Sequence, residues 1–186
     1  MKPVVALDID GVLNAINRAE VLGHGWEDHR VKIPARHLPA SPFISGPGDR
    51  AMSLGLCLNP GLHGPWISKL TEIAEVVWAT TWEHAANHSL APLLGIEPLP
   101  VGISVRTHKP DRYQWKTSDS IGWKSQALEK AYDNRPLVWI DDLNKYHGQS
   151  LAERRGSQPT LIVTCDEEQG LTPEHMETVD SFLMGL

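Results

Sequence analysis

PVVALDIDGVLN, residues 3–14, is a short apolar run closed by two acids and a glycine. Bounded by Pro3 and Gly11, the run is too short for a helix and reads as a buried strand ending at Asp8. If the chain stays extended, the side chains of Asp8 and Asp10 face the same way across Ile9, and Gly11 lets it turn sharply just afterwards. Two carboxylates sharing one small space repel and raise each other's pKa unless a cation lies between them. The pair is therefore either a metal site or an acid/base device, the plainer alternative being two solvated aspartates before a turn.

Downstream of this strand the pattern repeats. EVVWAT around Val76, LPVGISV around Val101, LVWIDD around Trp139 and TLIVT around Ile162 are further strand candidates. Between them lie stretches of helical periodicity. Trp66, Ile67, Leu70, Ile73 and Ala74 mark one, with Pro65 in its first turn; Glu83 to about Leu94 forms another, ended by Gly95. Ile121, Leu128, Ala131 and Tyr132 define a third, which stops before Asn134 and Pro136, and a last one follows Thr172-Pro173 with Met176, Val179, Phe182 and Leu183 on one face. Strands alternating with helices imply an α/β fold, a parallel sheet joined by right-handed crossovers between two helical layers. In such a sheet ligands gather beyond the strand C-termini, where Asp8, Thr80 and Asp141-Asp142 all fall.

The stretch from Asn14 to about Pro65 differs in character. It is rich in Gly, Pro and His, with turn signals at Pro47-Gly48-Asp49 and Asn59-Pro60-Gly61. VKI near Val31 and MSLGLCL near Leu54 suit short strands, so a small β-rich flap inserted at about residues 15–64 of one domain spanning 1–186 is expected. A flap this short leaves the site open to bulky or polymeric substrates as well as small ones. His24, Trp26, His29, Arg30 and Arg36 are its candidate substrate contacts.

With 17 basic and 23 acidic residues the net charge is −6, which provides no global field to draw in a polyanion. Nucleic acid is thereby disfavoured without being ruled out. Cys57 and Cys165 form no C-x-x-C pair, and the first apolar run is broken by acids too early for a signal peptide or a membrane span. A soluble, cytoplasmic protein with no membrane association and no obligate protein partner is expected. Seven tryptophans is a high count, and Trp78, Trp82, Trp123 and Trp139 are expected chiefly to pack the core and rim.

Adjacent acids ending a buried strand, as at Asp141-Asp142, are costly without a counter-ion. Magnesium takes a few carboxylate oxygens plus waters and substrate phosphate, a shell that Asp8, the main-chain carbonyl of Asp10 and Asp141 could supply, with Asp142 as a further ligand or as a cap for the next segment. Thr80-x-x-Glu83 reads as a capping box whose exposed amides also suit an anion, so Thr80 or Thr81 could touch phosphate. Lys124 precedes the Asp141 strand on a helix whose first turn could aim its ammonium at the carboxylates. His84 and His88 are spaced for zinc but lack the H-E-x-x-H pattern, which leaves His84 as a candidate for the rim of the phosphate site.

Taken together, DIDGVLN at residue 8 onward, WATT ending at Thr81, Lys124, and the acidic pair of VWIDD resemble, in order, the four motifs of the haloacid dehalogenase (HAD) superfamily. The resemblance covers roughly residues 1–14 and 66–165. It implies a Rossmann-like three-layer sandwich and a magnesium-dependent phosphohydrolase. Asp8 would attack phosphorus to form an aspartyl-phosphate, with Asp10 as acid and then base. Thr80 and Lys124 would steady the phosphoryl charge, Thr81, His84 and Asn14 would contact substrate, and Asp8, Asp10, Asp141 and Asp142 would hold the metal. An acid at position 10 separates the superfamily's phosphatases from its dehalogenases. The expected activity is phosphomonoester hydrolysis on a phosphorylated small molecule or a nucleic-acid end. The alternatives are a nucleotidase or polynucleotide end phosphatase, a non-catalytic phosphate-binding module on the same fold, and transfer of the phosphate to an acceptor other than water.

Overall fold

The structure is a computed structural model that describes residues 1–16, 24–34, 52–104 and 122–186. Four parallel strands form its sheet: β1 (Val4–Leu7), β4 (Glu75–Trp78), β5 (Leu137–Asp141) and β6 (Thr160–Thr164), in the order β4-β1-β5-β6. Two antiparallel strands, β2 (Glu27–Ile33) and β3 (Met52–Leu58), make a separate hairpin pair in register from Glu27↔Leu58 to Ile33↔Met52. The helices are α1 (Pro60–Ile73), α2 (His84–Ser89), α3 (Ala91–Leu94), α4 (Gly122–Tyr132), α5 (Gly148–Arg155) and α6 (Pro173–Met184). The α/β architecture and the β-rich insertion are those expected.

Alternation along each strand assigns the two faces. Val5, Leu7, Val76, Trp78, Val138 and Ile140 pack with the hairpin, α1, α2, α3 and α6, whereas Val4, Ala6, Val77, Leu137 and Trp139 pack with α4 and α5. A sheet covered on both faces buries every residue of β1 and β5, which is why these strands read as continuous apolar runs. After β1 the chain moves to β4 on one side, then returns to β5 on the other. The crevice between β1 and β5 is thus the topological switch point, the place where this architecture collects ligands.

Local differences from the sequence reading have physical causes. The helix expected to open at Pro65 starts at Pro60: the side chain of Asn59 accepts from the amide of Leu62, Pro60 fills the first turn, and Pro65 lies inside the helix. Asn59-Pro60-Gly61 is a helix start rather than a turn. The strand expected around Val101 is a single parallel bridge to Trp78. Asn87 occupies its edge instead, accepting from the amide of Leu99 and donating to its carbonyl, and Pro98 and Pro100 lack amides for a longer ladder. The single helix expected from Glu83 to about Leu94 is two, α2 and α3, divided at Leu90, and Gly95, in the left-handed region at φ 66°, ends the second as expected. Helix α5 had no sequence signal. Its buried residues are only Gly148, Leu151 and Arg155, and Arg155 anchors it by donating to Thr160 Oγ1 and to the carbonyls of Tyr132 and Arg135.

Candidate active site

Parity along the strands decides what meets at the switch point. Val4 and Ala6 share a face with Leu137 and Trp139, and the next positions on that face are Asp8 and Asp141. The amide of Asp8 donates to the carbonyl of Ile140 at 3.0 Å, so the β1–β5 ladder runs up to both acids. Helix α4 covers this same face, and Lys124 lies in its first turn. Its Nζ donates to Asp8 Oδ2 at 2.6 Å and to Asp141 Oδ2 at 2.7 Å. Asp8, Asp141 and Asp142 each bring a carboxylate oxygen within 4.8 Å of the others, and all three are buried. The acids that follow β1 and close β5 therefore converge on one point.

Each member is held differently. Asp141 also accepts from Trp139 Nε1 at 3.2 Å and, through Oδ1, from the amide of Leu143 at 2.9 Å. Asp142 is free to approach because Gly11 has no side chain: a Cβ there would lie 2.6 Å from Asp142 Cγ. Gly11 also sits at φ +72°, so the turn after Asp10 needs glycine on both counts. A cavity of about 570 Å³ opens beside Asp142, edged by Lys145, Thr164, Asp166, Glu167 and Glu168.

Electrostatics follow from burial. Burial raises the Asp8 pKa to about 8; the Lys124 ammonium pulls it down, and Asp141 and Asp10 push it back up. Burial and the neighbouring Asp141 raise Asp142 to about 6. Burial also works against the charge on Lys124, yet Asp141 and Asp8 outweigh it and shift its pKa upward, so the ammonium keeps its proton. Three buried carboxylates face one ammonium, an excess of negative charge that a divalent cation would offset. Oxygen-only donors of this kind suit a hard cation.

Asp10 lies elsewhere. The strand stops at Leu7, and the Asp10 side chain is exposed, outside the buried acidic group. Asn14 Nδ2 donates to its Oδ1 at 2.8 Å and Trp82 Nε1 to its Oδ2 at 2.8 Å. Asn14 faces inward to this contact, and its own Oδ1 accepts from the amide of Cys57 at 2.8 Å. Thr80 is buried at the end of β4, but the expected capping box with Glu83 does not form: Thr80 Oγ1 accepts from the amide of Trp82, and Glu83 is the cap residue of α2 without a side-chain cap bond. Glu83 sits at φ 47°, the one non-glycine positive φ among the described residues. Thr81 is half-buried, and His84 and His88 are exposed. Among the described residues the one group of three or more side chains placed to hold a metal is Asp8, Asp141 and Asp142, without either histidine.

Of the flap candidates, His24 and Arg30 are exposed, His29 pairs with Glu27 at 3.6 Å, and Arg36 lies outside the described residues. Trp26 turns inward, its ring edge-on to His63 with centroids 5.2 Å apart. The packing role expected of the tryptophans holds for Trp123, whereas Trp82 and Trp139 also donate to site carboxylates. The sequence carried a usable signal for Trp139, which stands two residues before Asp141 on one strand face.

A family model described as "HAD domain in Swiss Army Knife RNA repair proteins" matches residues 4–176. Comparison with the curated proteins and with the solved structures finds no match for the chain.

Proposed function

The chain belongs to the HAD domains of Swiss Army Knife RNA repair proteins, and on that premise we propose that it removes phosphate from RNA ends, with Asp8 as the nucleophile. The carrying observation is the convergence of Asp8, Asp141 and Asp142 within 4.8 Å around a buried Lys124. The family's association with RNA repair favours a polynucleotide end over a small metabolite, and it outweighs the net charge of −6, which describes the whole surface rather than the site.

Asp8 attacks phosphorus, the bond from phosphorus to the leaving ribose oxygen breaks, and Asp10 gives that oxygen a proton. In the second half, water attacks the aspartyl-phosphate, Asp10 takes the water's proton, and inorganic phosphate leaves with Asp8 restored. Lys124 fixes the Asp8 carboxylate and shares its charge. The Thr80 hydroxyl, which accepts from the Trp82 amide, keeps its own O–H to donate to a phosphoryl oxygen. Asp8, Asp141 and Asp142, with the main-chain carbonyl of Asp10, would hold Mg2+, which supplies neutralisation of the phosphate charge and keeps Asp8 ionised. Charge neutralisation of this kind must carry much of the ~20 kcal/mol or more by which phosphomonoesterases lower their barrier.

The test is phosphate release from 3′- and 5′-phosphorylated RNA and DNA oligonucleotides, mononucleotides, sugar phosphates and an aryl phosphate, with Mg2+ and with chelator. Turnover should need the cation and be fastest on an RNA end. Asp8→Asn should retain the parent's circular dichroism and lose at least about a thousandfold in kcat. Retained turnover in that variant removes the nucleophile assignment. Preference for sugar phosphates removes the RNA-end assignment and leaves the chemistry standing.

A further inference from the structure

Asp10 is an exposed carboxylate on which both oxygens are already engaged by protein donors. A solvated aspartate at a turn would ordinarily sample several rotamers, and its protons would go to whichever lone pair faced water. Here Trp82 Nε1 holds Oδ2 and Asn14 Nδ2 holds Oδ1, each at 2.8 Å. Two donors in fixed directions take one lone-pair site on each oxygen, and of the roughly four sites on a carboxylate about two remain.

The clamp itself is anchored at both ends. Trp82 is only 6% exposed and packs in the main core with Leu7, Ile9 and Ala85. Its indole is a single neutral donor on a rigid plate that cannot take the proton Asp10 must move. The turn that aims it runs directly into Glu83, whose backbone sits in a region that L residues rarely adopt. Asn14 cannot flip its amide without losing a bond, because its Oδ1 is fixed by the amide of Cys57 in β3.

We propose that Trp82 and Asn14 are positioning residues for Asp10, orienting its carboxylate so that the proton is delivered to the oxygen leaving phosphorus. This deepens the reading of Asp8 and Asp10 given above and rests on it. It matters for the substrate class proposed there, since the hydroxyl released from an RNA end is a poor leaving group that needs the proton, whereas a nitrophenolate does not.

The experiment is kcat/KM for a series of aryl and alkyl phosphomonoesters of rising leaving-group pKa. This parameter reports the steps up to loss of the leaving group and so excludes the later attack by water. In Asp10→Asn the rate should fall more steeply than in the parent as the leaving group worsens, the loss reaching about 10²–10⁴-fold on alkyl esters. Trp82→Phe and Asn14→Ala should steepen the same dependence, raising the ratio of nitrophenyl to alkyl kcat/KM about tenfold over the parent's. Combining Trp82→Phe with Asp10→Asn should add no further loss on alkyl esters, as for two residues acting through one group. A merely structural role lowers every substrate by the same factor, so a parallel loss across the series, or an equal further loss in the Asp10→Asn background, overturns the proposal. If Trp82→Phe does not fold, Asn14→Ala alone decides by the same ratio. Turnover by Asp8→Asn would instead overturn the underlying reading, a separate outcome.

Discussion

Gly11 shows how much one residue can carry. It lets the chain turn at φ +72° after Asp10, and it leaves the space into which the Asp142 carboxylate fits. In Gly11→Ala the new Cβ would sit 2.6 Å from Asp142 Cγ, so the acid must move or the turn must open. The expected result is loss of most Mg2+-dependent phosphate release, with destabilisation of about 1–3 kcal/mol in urea unfolding. Full activity in this variant would mean that Asp142 has no need of its place. At this scale the sequence was informative wherever a residue type had few other uses: paired acids ending apolar runs, and a glycine after them. It was uninformative for Trp82, since a tryptophan that packs and one that also donates look alike until a carboxylate is found 72 positions away, and it pointed to Asn14 for a substrate contact without its bond to Asp10.

Among the elements, α1 depends on another close approach. Gly64 faces the carbonyl of Leu94 at the end of α3, and a Cβ there would lie 2.0 Å from that oxygen. Gly64→Ala, which in an open helix would stabilise, should here destabilise by about 1–3 kcal/mol, read as a lower urea midpoint with unchanged m. A higher midpoint would show that α1 and α3 separate easily. Elements with strong apolar periodicity were legible: β1, β4, β5, β6, both hairpin strands, α4 and α6 all appear where the pattern places them. Helix α5 was not, because polar bonds from Arg155 to β6 and to the end of α4, rather than an apolar stripe, hold it in place. The start of α1 was misplaced because Asn-Pro-Gly serves equally as a turn and as a cap with proline in the first turn.

For the whole molecule, two predictions separate folding from the site. His63, fully buried on α1, has its pKa lowered from 6.5 to about 4 by burial, against the opposing effect of its bond to the Leu171 carbonyl. A group with a depressed folded pKa binds its proton more readily unfolded, so its contribution is complete above pH 6.5 and is lost as pH falls toward 4, by about 3 kcal/mol in all. The difference in unfolding free energy between the parent and His63→Gln should therefore shrink across that window. A constant difference would show that His63 takes up its proton in the folded protein without cost. Asp8 and Asp142, raised to about 8 and about 6, act in the opposite sense: the stability they contribute declines as pH rises through those values, and it cancels in the comparison. The second prediction uses the cation. Mg2+ at about a hundred times its dissociation constant should add about 2.7 kcal/mol, a rise in Tm of roughly 5–10 °C for a chain of this size. The rise should reverse with chelator and be largely absent in Asp142→Asn; an equal rise in that variant would place the cation elsewhere. The family assignment rests on the match over residues 4–176, whereas the net charge left nucleic acid disfavoured without ruling it out, because charge counted over a chain is blind to where it sits.

The pairing of Leu7 with Ile140 has a consequence for how the molecule is assembled. A slip of one rung between those neighbours would set Asp8 level with Asp142 and turn the Asp8 carboxylate away from the helix bearing Lys124, while leaving a sheet of nearly the same content. Spectra that count secondary structure would hardly notice. Recovered turnover per milligram after refolding is therefore a gauge of strand alignment, and a preparation that looks folded yet idles is one to examine for a misthreaded centre.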